Sequence, residues 1–329
     1  MSVDVARAVA GQVNIWAADA PFDVIWHGGE PLSAGREHLA ALMDPFEGVR
    51  HHVQTNATLI DQAWCELFAA RDVRVGISID GPAERNAARV SRAGKPALRA
   101  ITRGIERLRE CGLEFSAIAV VSDPDPRGAA ELYEFFVGLG CIVLGINIEE
   151  QEGVNVRRNQ LDSERVTEFW TALTEAWRRN PAIRVREIER VLGYVAAEFD
   201  GRADEFLPRS MDPFPTVTHE GDVVLLSPEL AGFADVTHGS FAVGNVLRTD
   251  LATLIAEAAG QRWVTDFRTG VDACRASCPY FAFCGGAQPA NRFFERGRFD
   301  VTRTHHCENS RISLLEGVVE HARTHGAVA

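Results

Sequence analysis

"DVIWHGGEPLSAG", residues 23–35, is a short apolar run that ends in two glycines, an acid and a proline. The apolar run is typical of a buried strand. Gly28 and Gly29 would end that strand in backbone without side chains, which lets a ligand approach main-chain amides and carbonyls. Glu30 could then bind a cationic amino group, and Pro31 would fix the turn. Taken by itself, however, the segment favours a plain strand-to-helix turn with an exposed acid.

Strand-like and helix-like stretches alternate on both sides of this segment. The predicted strands cover 22–27, 52–55, 74–80, 114–122 and 141–149, and the predicted helices cover 2–18, 61–71, 98–111 and 128–139. This alternation predicts an α/β fold, in which a parallel sheet with helical crossovers is either open or closed into a barrel. The first predicted helix has no strand before it.

The remainder of the chain has a different sequence pattern. Two amphipathic helices are predicted over 162–200, and beyond residue 208 hairpin patterns and cysteines follow. We therefore predict three parts: a sheet domain over 1–150, a helical connector over 151–210 and a small cysteine-rich domain over 211–329.

Three of the predicted strands turn polar or small on one face, mostly toward their C-terminal ends. Interior parallel strands normally carry apolar residues on both faces, and ligands of such folds bind at the C-terminal strand ends. These faces therefore predict a polar, ligand-binding interior, although each polar group could instead be satisfied by neighbouring backbone. The residues are His52, Gln54 and Asn56; Gly76, Ser78 and Asp80; and Gly145, Asn147 and Glu149.

Four of the seven cysteines lie together near the C-terminus, as Cys274-x3-Cys278-x5-Cys284-x22-Cys307. Four thiolates at this density suit tetrahedral zinc or a four-cysteine iron–sulfur cluster, and the spacing does not separate the two. His305 or His306 could replace one cysteine, although we favour the Cys307 thiolate.

The charge balance and hydropathy exclude several classes of protein. A formal net charge of −12 offers no basic field for nucleic acid or an anionic membrane. Neither a membrane span nor a secretory signal is visible, so we expect a cytoplasmic protein that binds no nucleic acid and no membrane.

In their order along the chain, these motifs resemble those of radical S-adenosylmethionine (radical SAM) enzymes that carry a C-terminal SPASM domain. The matching segments are "HGGEP" (27–31), "QTNAT" (54–58), "GISIDGP" (76–82), "INIEE" (146–150) and the cysteine-rich "CPYFAFCGG" that begins at Cys278. The resemblance implies a partial (β/α)6 TIM-like barrel lacking its first strand, followed by a small SPASM-like domain.

The resemblance also implies cofactors and residue roles. S-adenosylmethionine (AdoMet) would be held through its amino group by the "HGGEP" turn, through its ribose or carboxylate by the next two strands, and near its adenine or the substrate by the last strand. One auxiliary iron–sulfur cluster, of the 4Fe-4S type, would be held by the four clustered cysteines. The residues implied are Gly28, Gly29, Glu30 and Pro31; Gln54, Ser78 and Asp80; Asn147 and Glu149; and Cys274, Cys278, Cys284 and Cys307.

Further segments resemble maturases that modify ribosomally made precursor peptides, some of which join an aromatic ring to a nearby side-chain carbon. These segments are "NIEEQEG" (147–153), "LLSPELAG" (225–232), "GNV" (244–246) and "CPYFAFCGGAQPANRFFERGRF" (278–299). The implied partners are a precursor peptide and a reductant protein such as ferredoxin or flavodoxin.

The sequence departs from the family in one respect: it has no Cys-x3-Cys-x2-Cys loop for the cluster that cleaves AdoMet. We expect an N-terminally truncated gene product that cannot cleave AdoMet by itself. The alternative is a non-catalytic, metal-bearing relic that binds a peptide or a partner enzyme. A zinc-bearing hydrolytic barrel is disfavoured because no convincing nucleophile or histidine-rich site is present.

Overall fold

The structure is a computed structural model that describes residues 1–155, 161–206 and 213–324. The helices of these residues are α1 (Val3–Asp19), α2 (Arg36–Met43), α3 (Gln62–Ala70), α4 (Leu98–Glu110), α5 (Ala129–Leu139), α6 (Ser163–Arg179), α7 (Arg186–Phe199), α8 (Ala203–Phe206), α9 (Leu251–Glu257), α10 (Arg262–Ser277), α11 (Phe281–Cys284), α12 (Pro289–Arg296), α13 (His305–Cys307) and α14 (Ser313–Thr324). None of the described helices combines the length and hydropathy needed to cross a membrane.

The strands fall into one large and two small sheets. They are β1 (Phe22–Trp26), β2 (Val49–Thr55), β3 (Arg74–Ser78), β4 (Phe115–Val121), β5 (Val143–Ile148), β6 (Arg184–Val185), β7 (Thr216–Val217), β8 (Asp222–Val224), β9 (Ala234–Asp235), β10 (Gly239–Ser240) and β11 (Gly244–Asn245).

Two compact units make up the chain, and they divide it differently from the predicted parts. The sheet unit comprises residues 13–149, 164–189 and the chain from 316 onward, whereas the cysteine unit comprises 1–12, 150–163 and 190–315. The segment predicted as a helical connector is thus shared between them. The predicted boundary near residue 210 lies among residues 207–212, outside the described part of the chain.

The sheet unit is built on a six-stranded sheet in the order β1-β2-β3-β4-β5-β6. Every neighbouring pair is parallel, and helices connect the successive strands. This arrangement confirms the predicted α/β class and its partial barrel. Five of the strands match predictions, whereas β6 was not predicted because its two residues lie between helical patterns.

The two faces of this sheet differ as the sequence pattern predicts. One face is buried by apolar side chains, including Val53, Ile77 and Ile146. On the opposite face, Gln54, Ser78 and other predicted polar residues remain half-buried. Because alternate residues of a strand point to opposite faces, the sheet presents a polar and accessible face above an apolar core.

Helix α4 packs closely against the loop that follows β2. Its apolar positions recur at helical spacing, and Ile101, Ile105 and Leu108 are buried. Gly104 lies on the same face, where an added Cβ would come within 2.1 Å of the Ala57 carbonyl oxygen. The missing side chain at this glycine therefore allows α4 to contact the backbone of the loop directly.

The cysteine unit combines short hairpins with helices α10 to α13. The predicted hairpin around Gly221 is present, since β7 and β8 pair antiparallel with β11 on the other side of β8. An aromatic core fills this unit, and its fully buried rings include Phe241, Trp263, Phe267 and Phe299.

Candidate functional site

The "HGGEP" turn follows β1 and is fastened to the end of β2 by Glu30. The Glu30 Oε1 atom accepts hydrogen bonds from Thr55 Oγ1 at 2.6 Å and from the Leu32 N–H at 3.0 Å, and its Oε2 atom accepts one from the Asn56 N–H at 2.8 Å. A carboxylate offers about four acceptor positions. Three are used inside the protein, so one Oε2 position remains for a ligand.

Gly28 and Gly29 give the turn its backbone shape. Their φ angles are +93° and +63°, in the left-handed region that side chains disfavour, and no heavy atom lies within 4 Å of the position a Cβ would take. The glycines therefore meet a conformational requirement and leave open space beside the backbone. Pro31 begins the short 3-10 helix Pro31–Ala34, whose N-cap is Glu30.

Gln54 and Ser78 form a pair on the polar face of the sheet. Gln54 Nε2 donates a hydrogen bond of 2.9 Å to Ser78 Oγ. The Gln54 amide lies across Gly76 on the neighbouring strand, where an added Cβ would be 2.2 Å from its Oε1 atom. The pair therefore presents a fixed amide and hydroxyl at the C-terminal side of β2 and β3.

Asp80 is buried and binds only protein groups in the contacts that the structure gives it. Its carboxylate accepts a two-pronged pair of bonds from Arg89, each 2.7 Å long, and a third bond of 2.9 Å from the Val120 N–H. These contacts hold the "DGP" loop against β4. These contacts fix the position of Asp80, and its contact with a cofactor stays a prediction.

Asn147 lies on the polar face of the sheet beside Arg186, a cationic residue that was not predicted as part of the site. Its Oδ1 atom accepts a hydrogen bond of 2.8 Å from Arg186 Nη2. The guanidinium rests against Gly145, where a Cβ would be 2.9 Å from its central carbon. Glu187 Oε1 accepts a hydrogen bond of 2.6 Å from Arg186 Nε, and its Oε2 atom accepts one from the Ile146 N–H. No periodic pattern around 184–187 distinguishes these residues from a helix start.

The predicted cofactor residues that lie in strands therefore form two groups on the polar face of the sheet. Gln54 and Ser78 belong to β2 and β3, whereas Asn147 belongs to β5, and Ile118 and Val120 of β4 lie between them. Adjacent strands are about 4.8 Å apart, so the two groups flank an apolar strip one strand wide. Glu149 follows β5 and its N–H bonds to the Val121 carbonyl at 3.0 Å.

In the cysteine unit, the four predicted ligand cysteines line a single small cavity of about 20 Å³. Cys274 and Cys278 lie at the end of α10, Cys284 ends α11, and Cys307 lies in α13. Gly285 and Gly286 follow Cys284 with φ angles of +70° and +99°, which allows the chain to turn back around the cavity.

A buried arginine beside this cavity fits an anionic centre. Arg292 is 1% exposed, and its Nη2 lies 3.5 Å from Cys274 Sγ and 2.7 Å from the Gly286 carbonyl oxygen. Burial lowers the pKa of Arg292, and the neighbouring thiols act in the opposite direction. A buried positive charge is stabilised by a nearby negative one, and four metal-bound thiolates would supply it.

The surroundings of two of these thiols, Cys274 and Cys307, favour the neutral form. Burial raises the pKa of Cys274, which Arg292 partly offsets, and burial also raises the pKa of Cys307. Among the described residues, no three cysteine, histidine or acidic side chains stand as a metal-ligand set. The cysteines share a cavity, and their role as ligands stays a prediction.

Neither of the histidines considered as a replacement ligand lines this cavity. His306 lies instead with its Nδ1 atom 3.1 Å from Glu150 Oε1. The structure therefore favours Cys307 over His306 as the fourth candidate ligand, while zinc and iron–sulfur remain alternatives.

The chain thus combines a parallel α/β sheet, a glycine-rich turn after its first strand and a cysteine-rich unit. Residues 2–149 match the Radical SAM superfamily. An uncharacterized protein of Synechocystis sp. is 33% identical over 314 residues, which cover 91% of this chain and 78% of that protein. The chain belongs to the radical SAM superfamily.

More limited similarity extends to named maturases. A serine-type anaerobic sulfatase-maturating enzyme of Klebsiella aerogenes is 31% identical over 185 residues, covering 53% of this chain and 45% of that protein. The one from Bacteroides thetaiotaomicron is 36% identical over 123 residues, covering 35% of this chain and 30% of that protein.

Two solved structures share the fold at low sequence identity. Native anSMEcpe with bound AdoMet superposes with a TM-score of 0.73 and 19% identity, covering 99% of this chain and 89% of that one. Streptococcus suis SuiB superposes with a TM-score of 0.67 and 15% identity, covering 93% of this chain and 71% of that one. SuiB has also been solved bound to its precursor peptide SuiA.

Proposed function

We propose that this chain is part of a radical SAM maturase that crosslinks side chains of a ribosomally made precursor peptide after hydrogen-atom abstraction. The observation that carries the proposal is the "HGGEP" turn fastened by Glu30 beside a polar sheet face. Support comes from the cysteine cavity in the same chain and from fold neighbours that bind precursor peptides.

The residues of the sheet unit would bind and orient AdoMet. The remaining acceptor position on Glu30 and the exposed backbone at Gly28 and Gly29 suit an ammonium group, because both present oxygen acceptors to a cationic donor. The fixed Gln54–Ser78 pair suits hydroxyl or carboxylate groups. Asn147 and Glu149 would lie near the adenine or the substrate.

A reduced iron–sulfur cluster in this family splits bound AdoMet and supplies the radical that removes a hydrogen atom from the peptide. The three cysteines that hold such a cluster are not among the seven of residues 1–329. We therefore assign to these residues the binding of AdoMet, of peptide and of one auxiliary centre. A reductant such as ferredoxin or flavodoxin would supply the electron.

The binding half of the proposal is tested by calorimetric titration of AdoMet into purified protein. Glu30→Ala should weaken AdoMet binding by roughly tenfold to a hundredfold, because a hydrogen bond between charged groups contributes about 1.5–3 kcal/mol. Thr55→Val removes only one of the bonds that fasten the turn, so its effect should be smaller. The control is Glu37→Ala, at an exposed acid in α2. Wild-type affinity in Glu30→Ala refutes the assignment.

The peptide half is tested by co-expressing each short open reading frame that adjoins the gene with a form of this chain that also carries a Cys-x3-Cys-x2-Cys segment for the AdoMet-cleaving cluster. A new carbon–carbon bond between two side chains removes two hydrogen atoms, so the modified peptide should lose the mass of two hydrogens, with fragmentation placing the loss at an aromatic residue. A system that cleaves AdoMet and leaves every such peptide at its unmodified mass contradicts the proposal.

A further inference from the structure

Three segments that resemble maturase motifs, far apart in sequence, meet in the cysteine unit. Glu150 and Glu152 belong to "NIEEQEG", Glu229 belongs to "LLSPELAG", and Asn291 belongs to the segment after the third cysteine. Glu150 contacts Asn291, and its charge acts on both Glu152 and Glu229; we call these four residues the acidic cluster. The two proposed cofactor sites use none of these residues.

Within the acidic cluster, Glu150 is the acid that contacts a basic side chain, that of His306. Its Oε1 atom lies 3.1 Å from His306 Nδ1, and its Oε2 atom accepts a hydrogen bond from Asn291 Nδ2. Burial acts to raise the pKa of Glu150, but His306, Asn291 and the positive charge of Arg311 outweigh it, so the pKa lies below its ordinary value. Glu150 is therefore a compensated negative charge.

Glu152 and Glu229 are different, because neither forms an ion pair with any described residue. Burial, followed by the negative charges of Glu150 and Glu229, raises the pKa of Glu152 to about 8. Burial also raises the pKa of Glu229, with Glu150 adding to the effect. Glu152 and Glu229 therefore have no ion-pair partner of their own among the described residues, and a cation placed beside them would stabilise their ionised forms.

Unpaired acceptors indicate what kind of cation fits. Asn291 is 0% exposed, yet its Oδ1 atom has no hydrogen-bond partner among the described residues, and the same holds for the buried Oε2 atom of Glu229. A buried acceptor without a donor costs about 1–3 kcal/mol. Both atoms need N–H or O–H donors, which a cationic side chain supplies.

We propose that the acidic cluster binds a cationic side chain of the substrate peptide, with the N–H groups of a guanidinium or an ammonium donating to Asn291 Oδ1 and to the Glu152 and Glu229 carboxylates. Guanidinium offers five donors in a planar fork and ammonium offers three. Glu152 and Glu229 are half-buried and so can be reached from solvent. This inference rests on the proposed function and adds that the peptide carries arginine or lysine.

The test uses blocked single amino acids as probes, so it requires neither AdoMet nor crosslinking. N-acetyl-arginine methylamide, the lysine analogue and the neutral citrulline analogue are titrated into the purified full chain by calorimetry. Arginine or lysine should bind at least about tenfold more tightly than citrulline, which has nearly the same shape and no charge. Glu152→Gln should remove this preference, and so should Glu229→Gln.

Glu220→Gln is the matched control, because Glu220 is an exposed acid at a hairpin turn of the same unit. Circular dichroism checks that each variant is folded, and the second glutamate variant keeps the test valid if one variant fails to fold. A preference for arginine assigns a guanidinium site, and a preference for lysine assigns an ammonium site. Equal binding of citrulline, or unchanged binding of arginine in both folded variants, overturns the inference and leaves the AdoMet and peptide-mass tests unaffected.

Discussion

The contact between Gly104 and the loop after β2 gives a sharp prediction, because it links helix packing to the cofactor turn. Replacing Gly104 with alanine places a Cβ 2.1 Å from the Ala57 carbonyl oxygen, about 1.3 Å short of the 3.4 Å at which ordinary contact begins. The clashing atom belongs to the backbone, so no side-chain rotation relieves it. Either α4 or the loop must move.

Two opposing effects set the size of the change. Alanine in a helix interior is favoured over glycine by about 0.8–1 kcal/mol, whereas overpacking a well-packed site costs about 1–3 kcal/mol. Since a backbone atom is involved, we expect the upper part of that range and a net loss of about 1–2 kcal/mol. The loop shift should also weaken AdoMet binding, because the Asn56 N–H that precedes Ala57 bonds to Glu30.

Urea unfolding followed by circular dichroism measures the stability, and calorimetry measures the AdoMet affinity. Gly11→Ala is the matched control: Gly11 lies inside α1 and an added Cβ would meet nothing within 4 Å, so this variant should gain up to about 1 kcal/mol. If Gly104→Ala is as stable as Gly11→Ala and binds AdoMet normally, the close approach does not constrain the loop and the reasoning fails.

The remaining predictions concern the cysteine cavity and a buried histidine. Cys278→Ala should lose the bound iron, measured by metal analysis and visible absorption, while the sheet unit keeps its unfolding transition. Cys111 lies outside the cavity, so Cys111→Ala should keep the iron. Equal iron in the two variants would contradict the assignment of Cys278 as a ligand. Burial, with smaller effects from neighbouring charges, lowers the pKa of His51 to about 4, so the unfolded chain binds this proton more tightly. The neutral His51 side chain should therefore contribute about 3 kcal/mol to the free energy of unfolding. This contribution is fully present above pH 6.5 and is lost as the pH falls to 4. In urea unfolding, His51→Leu should weaken the dependence of stability on pH. It should also lower the stability at neutral pH, because Trp26 Nε1 loses its acceptor. An unchanged pH dependence in this variant would contradict the role given to His51.

The sheet could be predicted from the sequence because its signals are local. Alternating side chains and helical stripes identify strands and helices within one segment, and the polar faces of β2, β3 and β5 followed from the same alternation. Strand β6 has only two residues, Arg184 and Val185, so it is too short to show any period. The division into units depends on contacts between distant segments, which no local pattern reveals.

The contacts of the candidate site residues could be predicted from the sequence only in part, and their role in binding a cofactor stays a prediction. The residue types around "HGGEP" were identified, but the partners of Glu30 lie 25 and 26 residues away on another strand, and no spacing rule reveals them. Glu150 and Asn291 are 141 residues apart. The maturase-like segments could each be recognised in the sequence, but only the folded chain brings their side chains together.

The hydrogen bonds of Glu30 hold the "HGGEP" turn in one shape, which affects the entropy of binding proposed for the cofactor. Ordering a mobile residue costs roughly 1–2 kcal/mol of backbone entropy, and a loop that folds around its ligand bears that penalty at the moment of association. Here the bonds from Thr55, Leu32 and Asn56 hold the turn in shape beforehand. If AdoMet binds there as proposed, it would meet a preorganised surface, and most of its interaction energy would be retained as affinity.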